Sequence, residues 1–530
     1  MAQATSPSEK PPQAPIMDYS VEVLDSADSI ASVHTSDVDP EVAKLPLPPS
    51  GVLEDVDASL SPPPPPPYHV YTRHEKWCMV GLVAVTGLYS PLPANIYFPA
   101  LPTLAQVFHE STEAMNQTVT AYLVMQGISP MLWGTLSDRY GRRPVFLICL
   151  TILIGSCIGL ALCPTSAFWL LIVLRLLQAA GCASTIALGA GVIGDISTAD
   201  ERGGYFGYFN LGPMLAPCIG PAIGGVLSQN LGWRAIFWFL VIMAVVCLLL
   251  VLLFLPETMR SIAGNGSVAL TGIYRPLVPI LGRKVKTVPR TPSPRKVSNN
   301  PFGIFLYPDI SITLFFTGVV YSINYTITAT ISSSFATIYP FLDETTIGLC
   351  YLATGGGMIV GSTTTGRFLD WDFARVKRKY PADQLAHPAD FPREYARLRT
   401  MPIHLVVFTT CVFGWGFAME YKAHIAVSLV LQFILGWTSI SILNTTMTLM
   451  IDVLQSRSSS ATACTNLVRC LLATVLVAVI DNMTTTMSYQ WTYVFWGLIS
   501  ASMLGLMYVE IKIGSRWRRA REIAQDKEAE

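Results

Sequence analysis

The sequence predicts an all-α polytopic membrane protein of twelve transmembrane helices in two six-helix bundles, and three observations predict it. Of 530 residues, 51% are hydrophobic and only 13% charged, with a mean hydropathy of +0.46. Soluble domains carry about 25% charged residues, so this chain must hide most of its surface in lipid. The second observation is that runs long enough to cross a bilayer, about 20 apolar residues each, recur twelve times. The third is a polar, basic stretch, 256–307, that divides those runs six and six.

Taken in order, residues 1–70 are rich in Asp, Glu, Ser and Pro and end in the proline run Pro62–Pro67. Such a segment buries too little apolar area to offset its ordering entropy, so a disordered cytoplasmic tail is expected. The N-terminal half, 71–255, holds spans near 77–98, 115–136, 144–163, 168–192, 204–227 and 233–255. A cytoplasmic linker, 256–307, follows. The C-terminal half, 308–510, holds spans near 308–335, 346–369, 400–418, 424–447, 459–481 and 489–510, before a basic tail over 511–530. The even-numbered connections are basic: Arg139, Arg142 and Arg143; then Arg260 to Lys296; then Arg375 to Lys379; then Arg516 to Arg521. The odd ones carry acids instead, such as Glu110, Glu113, Asp343 and Glu344. Positive charge stays inside, which places both termini in the cytoplasm and requires an even number of spans.

Other function classes find no support. Net charge is zero, with 35 basic and 35 acidic residues, and no basic face on a soluble fold suggests nucleic acid. The eleven cysteines are scattered through apolar runs without CxxC spacing, so neither a metal centre nor a disulfide scaffold is expected. No nucleophile–base set or phosphate loop appears, and an enzyme is not expected. No cofactor is called for. The expected partners are the bilayer, a small solute and protons, with the chain acting as a monomer.

Three patterns carry chemistry. The turn between spans two and three, Gly134-Thr135-Leu136-Ser137-Asp138-Arg139-Tyr140-Gly141-Arg142-Arg143, packs an acid and three arginines into a short link. A salt bridge from Asp138 to a neighbouring helix end would be partly shielded from water, and would hold the outward-facing state by about a few kcal/mol. Gly366 to Asp370 repeats its opening in the second half, without the Gly-Arg-Arg continuation. Span five carries Gly212, Pro213, Pro217, Gly220, Pro221, Gly224 and Gly225. Small residues let helices approach and prolines bend them, as a rocking central helix would require. Finally, Arg175 and Arg469 lie inside spans four and eleven, with Gln178 and Asn466 three residues away on the same faces. A guanidinium there costs several kcal/mol unless it faces a partner or a watery cavity. Bonding to carbonyls of a neighbouring helix is the alternative.

These patterns resemble the major facilitator superfamily. The turn matches its G-x-x-x-D-R-x-G-R-R signature, Arg175-x-x-Gln178-x-x-Gly181 is similar to its fourth-span motif, and span five to the motif of its antiporters. Asn95 to Pro102, Gly191 to Ile196, Leu255-Pro256-Glu257-Thr258, Ala263 to Ser267 and Ala461 to Cys470 resemble the fungal twelve-spanner drug:proton antiporters, which include quinidine-resistance-type and citrate exporters. The resemblance covers roughly 70–520. It implies a major facilitator fold and an exporter in the plasma membrane of a fungal cell, linked to protons.

No acid lies well inside a span, since Asp195, Glu257, Asp452 and Asp481 all sit at ends. Two intramembrane cations without an intramembrane anion favour an anionic cargo, because a guanidinium binds a carboxylate as a two-pronged fork. The expectation is therefore export of an organic acid held by Arg175 and Arg469, with Gln178, Asn466, Asn95, Gln126, Asn324, Tyr325, Gln432 and Asn444 lining the path. Aromatics such as Tyr122 read as packing or interface belts. Asp195 joins the gating set of the charged turn and span five; it, Asp138 and a carboxyl of the substrate are the candidate proton carriers, and a facilitator without proton coupling is the alternative. Multidrug or secondary-metabolite antiport is the alternative within this fold. A solute sensor acting through the N-terminal tail is the alternative outside transport.

Overall fold

The computed structural model describes residues 69–268, 270–278, 301–379, 391–454 and 458–529. The expected disordered tail, up to residue 68, and the linker cations from Arg283 to Lys296 lie outside the described residues.

Among the described residues, nine helices are long and apolar enough to cross a membrane by length and composition. One of them, Ala461–Ile523, holds two spans joined at Ser488, where φ is 71° and ψ 164°. Two further helices of spanning length, Thr112–Tyr140 and Glu344–Lys379, carry more polar side chains. The total is the expected twelve, numbered here one to twelve along the chain. The remaining spans are Arg142–Ala161 (three), Ala199–Leu231 (five), Arg234–Phe254 (six), Pro308–Ile338 (seven), Met401–Glu420 (nine) and Ile425–Val453 (ten).

Two spans are broken. Span four divides into Phe168–Cys182 and Thr185–Ile196. Span one runs as Arg73–Leu88, Leu92–Asn95, a 3-10 turn at Phe98–Ala100, and Leu101–Phe108. Pro91, Pro93, Pro99 and Pro102 lack the N–H an α-helix needs, so span one breaks and reaches ten residues beyond its expected end. Span twelve also outruns its expected end, since residues 511–529 continue as helix.

That continuation is docked by charge. Fully buried Arg518 pairs with Glu394 at 2.7 Å, and Arg521 with Asp309 at 2.7 Å. Glu394 sits on the short helix Arg393–Leu398 ahead of span nine, and Asp309 opens span seven. Arg397 and Asp452, 2.8 Å apart, tie the same short helix to the end of span ten.

The halves meet where span two packs on span eleven and span five on span eight, while span one lies along span five. Glycine makes the span-five contacts. A Cβ on Gly212 would fall 2.0 Å from the Ala84 carbonyl oxygen, and one on Gly224 2.1 Å from that of Ile96. One on Gly225 would meet the Glu344 carbonyl at 2.3 Å, on span eight. Nearer the other end of span five, a Cβ on Gly204 or Gly207 would meet nothing within 4 Å.

Side-chain bonds between the halves gather at the acidic face, where the odd-numbered connections lie. Asn116 donates to Asp481 at 2.6 Å, Asn482 to Glu113 at 3.1 Å, Gln229 to Asp343 at 3.0 Å, and Thr103 to Glu344. The ion pairs described at the opposite, basic face each stay within one half, as Lys76 with Glu201 at 2.6 Å does. Among the described residues, side-chain bonds between the halves are thus concentrated at one end, with Asn466 and Gln126 bonded deeper in the seam.

Candidate functional site

Arg175 is completely buried on span four. Its guanidinium carbon lies 4.1 Å from the Tyr97 ring centre and 4.4 Å from that of Tyr122, so two π faces shelter the charge. Nη1 donates to the Pro93 carbonyl at 3.1 Å and to Gln178 Oε1 at 2.6 Å. The Pro93 carbonyl is offered by the break in span one. Nε and Nη2 have no hydrogen-bond partner. Gln178 is held in turn, donating from Nε2 to Cys157 Sγ at 3.2 Å.

Arg469, on span eleven, is partly exposed. Its guanidinium lies 4.4 Å from the Tyr321 ring centre, and Nη2 donates to Asn466 Oδ1 at 2.7 Å. Asn466 Nδ2 donates across the seam to the Gln126 carbonyl at 2.8 Å. Asn466 thus fixes Arg469 against span two of the other half. Arg469 Nε and Gln126 Oε1 lack partners. Neither Arg175 nor Arg469 forms an ion pair with a carboxylate among the described residues.

Aromatic rings join the two arginines. Tyr97 is followed by Phe98, whose ring lies 5.9 Å from Tyr325 edge-on and 6.3 Å from Tyr351 in a stack. Tyr325 lies 5.8 Å from Tyr321, the ring beside Arg469. Tyr325 was expected along the path, whereas Tyr97, Tyr321 and Tyr351 were missed as site residues. Aromatics are common in spans, yet the four-residue spacing of Tyr321 and Tyr325, which puts both on one helix face, was there to be read.

The other expected lining residues are placed differently. Asn95 turns its Nδ2 back to the Pro91 carbonyl at 2.7 Å, and its Cβ side packs against Gly220 of span five. Asn324 is buried on span seven. Gln432 accepts from Thr354 at 3.3 Å and Asn444 donates to Ser362 at 3.2 Å, so both bind spans ten and eight to each other.

The charged turn forms a second cluster at the basic face. Asp138 pairs with Arg142 at 2.7 Å, and Arg142 reaches Asp195 at 3.3 Å and the Ser137 hydroxyl at 2.6 Å. Glu257, buried just past span six, accepts the backbone N–H groups of Arg142, Arg143, Thr258 and Met259 at 2.9–3.1 Å. Gly141 stands at φ +105°, and a Cβ there would fall 2.4 Å from Glu257 Oε2. Arg143 is buried as well, donating to the carbonyls of Leu252 at 2.6 Å and of Ile273. Arg139 lies over the Tyr140 ring, and a Cβ on Gly134 would meet nothing. Pro213, Pro217 and Pro221 lie inside span five without ending it. Glu257 was not among the expected gating residues, because its contact with Arg142 spans 115 positions of sequence.

At the acidic face, Thr346 and Gln229 donate to the Asp343 carboxyl and hold it down at about 2. Among the described residues no group of three His, Cys, Asp or Glu side chains could hold a metal ion.

Residues 83–471 match the family model described as Major Facilitator Superfamily. The chain belongs to that superfamily. It is therefore a multi-pass membrane transporter and not an enzyme. Citrate exporter 1 of Aspergillus niger is 36% identical over 510 residues, covering 93% of this chain and 95% of that one. Multidrug transporter QDR2 of Candida glabrata is 34% identical, covering 89% and 85%, and the probable transporter AQR1 of Saccharomyces cerevisiae 32%, covering 96% and 86%. The crystal structure of the human organic anion transporter MFSD10 (TETRAN) has the same fold, with a TM-score of 0.54 at 15% identity over 82% of this chain and 99% of that one. Superfamily membership bears out the resemblance and the fold class of twelve helices in two bundles that the sequence presented.

Proposed function

We propose that this transporter exports a small organic anion, a carboxylate such as citrate or a related acid, across the plasma membrane and in linkage to protons. The observation that carries the reading is the pair of intramembrane guanidiniums, each with a donor left unpartnered and neither neutralised by a carboxylate among the described residues. Arg175 projects from one half and Arg469 from the other, so a solute with two carboxylates can engage both. The citrate exporter relative supports the same cargo. The basic face is then cytoplasmic, both termini lie there, and stitching of the acidic face leaves the site to be loaded from within. Asp195 is the proton-exchanging candidate, being an acid in contact with the charged turn.

Arg175→Ala and Arg469→Ala test this in cells with surface abundance measured alongside citrate efflux. Losing a charge-assisted hydrogen bond, about 1.5–3 kcal/mol, should weaken apparent affinity about tenfold to a hundredfold. Undiminished efflux at normal abundance in either variant would falsify the reading. Multidrug antiport is the second reading, favoured by the QDR2 relative and by the aromatic rings around both arginines. It predicts that the same variants lose drug resistance while acid efflux persists.

A further inference from the structure

We propose that Tyr325 is a specificity-determining residue of the solute site, its phenolic O–H donating to a carboxylate oxygen of the bound anion between the two arginines. This deepens the anion-export reading and rests on it.

Tyr325 is buried on span seven in a position reached by both halves. Its ring meets Phe98 of span one edge-on, and Tyr321, beside Arg469, on its own helix. Its hydroxyl is buried and has no hydrogen-bond partner among the described residues.

The neighbouring tyrosines show how unusual that is. Tyr97 bonds the Thr118 hydroxyl at 3.0 Å, Tyr122 donates to the Ser90 carbonyl at 3.1 Å, and Tyr351 bonds the Ser332 hydroxyl at 2.9 Å. A buried hydroxyl without a partner is destabilising, and phenylalanine would fill the same space without that cost. The hydroxyl is useful only when something polar arrives beside it.

The unsatisfied atoms of this region say what that is. Among the buried side-chain atoms described there without a partner, Arg175 Nε and Nη2, Arg469 Nε and the Tyr325 hydroxyl can donate, against Gln126 Oε1 as an acceptor. A surplus of donors calls for an acceptor-rich guest. Because the donors lie on spans four, seven and eleven, a guest with carboxylates at both ends satisfies more of them than one with a single carboxylate. The site therefore selects di- and tricarboxylates over monocarboxylates, and Tyr325 contributes to that choice.

The test is Tyr325→Phe in the full-length protein, purified and reconstituted in proteoliposomes, with citrate as the probe and acetate as the monocarboxylate competitor. The variant should keep or raise its melting temperature in detergent, since an unpaired buried hydroxyl is gone. Its KM for citrate should rise about tenfold, the worth of one lost hydrogen bond to a charged group, with a smaller change in maximal rate and weaker discrimination against acetate. An unchanged KM overturns the proposal, and so does a lowered melting temperature with kinetics unaltered, which marks the hydroxyl as structural. Arg469→Ala run in parallel separates the two ideas. If it loses citrate transport while Tyr325→Phe is normal, the tyrosine proposal fails and the anion reading stands. If it transports citrate normally, the anion reading fails.

Discussion

Glu257 gathers four backbone N–H groups on two carboxylate oxygens, two from the start of span three and two from the strand of chain after span six. A glutamine offers one acceptor oxygen and turns an NH2 group toward donors that need an acceptor. Glu257→Gln should therefore cost about 1–3 kcal/mol for the donor left unsatisfied, seen as a lower melting temperature. Gly141→Ala should be worse, because it adds a clash with the same carboxylate to a backbone angle that side chains rarely adopt. A Gly141→Ala protein as stable as wild type would sink this account of the turn. At this scale the sequence was unevenly legible. Arg175 and Arg469 stood out because a cation in an apolar run has few innocent explanations. The tyrosines beside them did not, since an aromatic ring is at home in any span. Glu257 was quoted in a motif, but the backbone it would hold lay more than a hundred residues away.

Span five shows what an element can do that no single residue reveals. Its glycines are not equivalent. Gly212 and Gly224 admit carbonyl groups of span one, whereas Gly207 borders open space. Gly212→Ala should lower stability and transport together, because the Ala84 carbonyl has nowhere to go. Gly207→Ala should be neutral or slightly stabilising, since alanine is the better helix former by about 0.5–1 kcal/mol. Melting curves and citrate efflux of the two variants check the contrast, and equal effects would remove the packing argument. The existence of the spans was legible because lipid demands continuous apolar runs. Their ends were less so. Span one outlasts its apolar stretch because its prolines build a broken helix instead of stopping it. Span twelve outlasts its own because Glu394 and Asp309 neutralise arginines that composition alone assigned to a solvated tail.

Across the whole molecule, the acidic face is closed by carboxylates that accept from amides and a hydroxyl, with no cation in those bonds. The corner at Asp343 differs from an ordinary carboxylate in its response to acid. Its carboxyl is held at about 2 by the donors it gains on folding. A lowered value contributes stability that is present above the unfolded carboxylate range, about 3.9, and is lost only as pH falls through the folded value. A cysteine placed at Thr345 should therefore stay poorly labelled by an impermeant thiol reagent down to about pH 3. With Asp343→Asn it should label faster already at neutral pH. Labelling that climbs steeply near pH 4 in the unaltered background would contradict this.

The carbonyl of Pro93, freed by the break in span one, is one of two acceptors holding Nη1 of Arg175. An arriving guest that draws the guanidinium toward itself must loosen that tether, and the tether belongs to the helix lying along span five. On the proposed reading, occupancy would be felt as slack or strain where span one lies along span five, without a relay of intervening side chains.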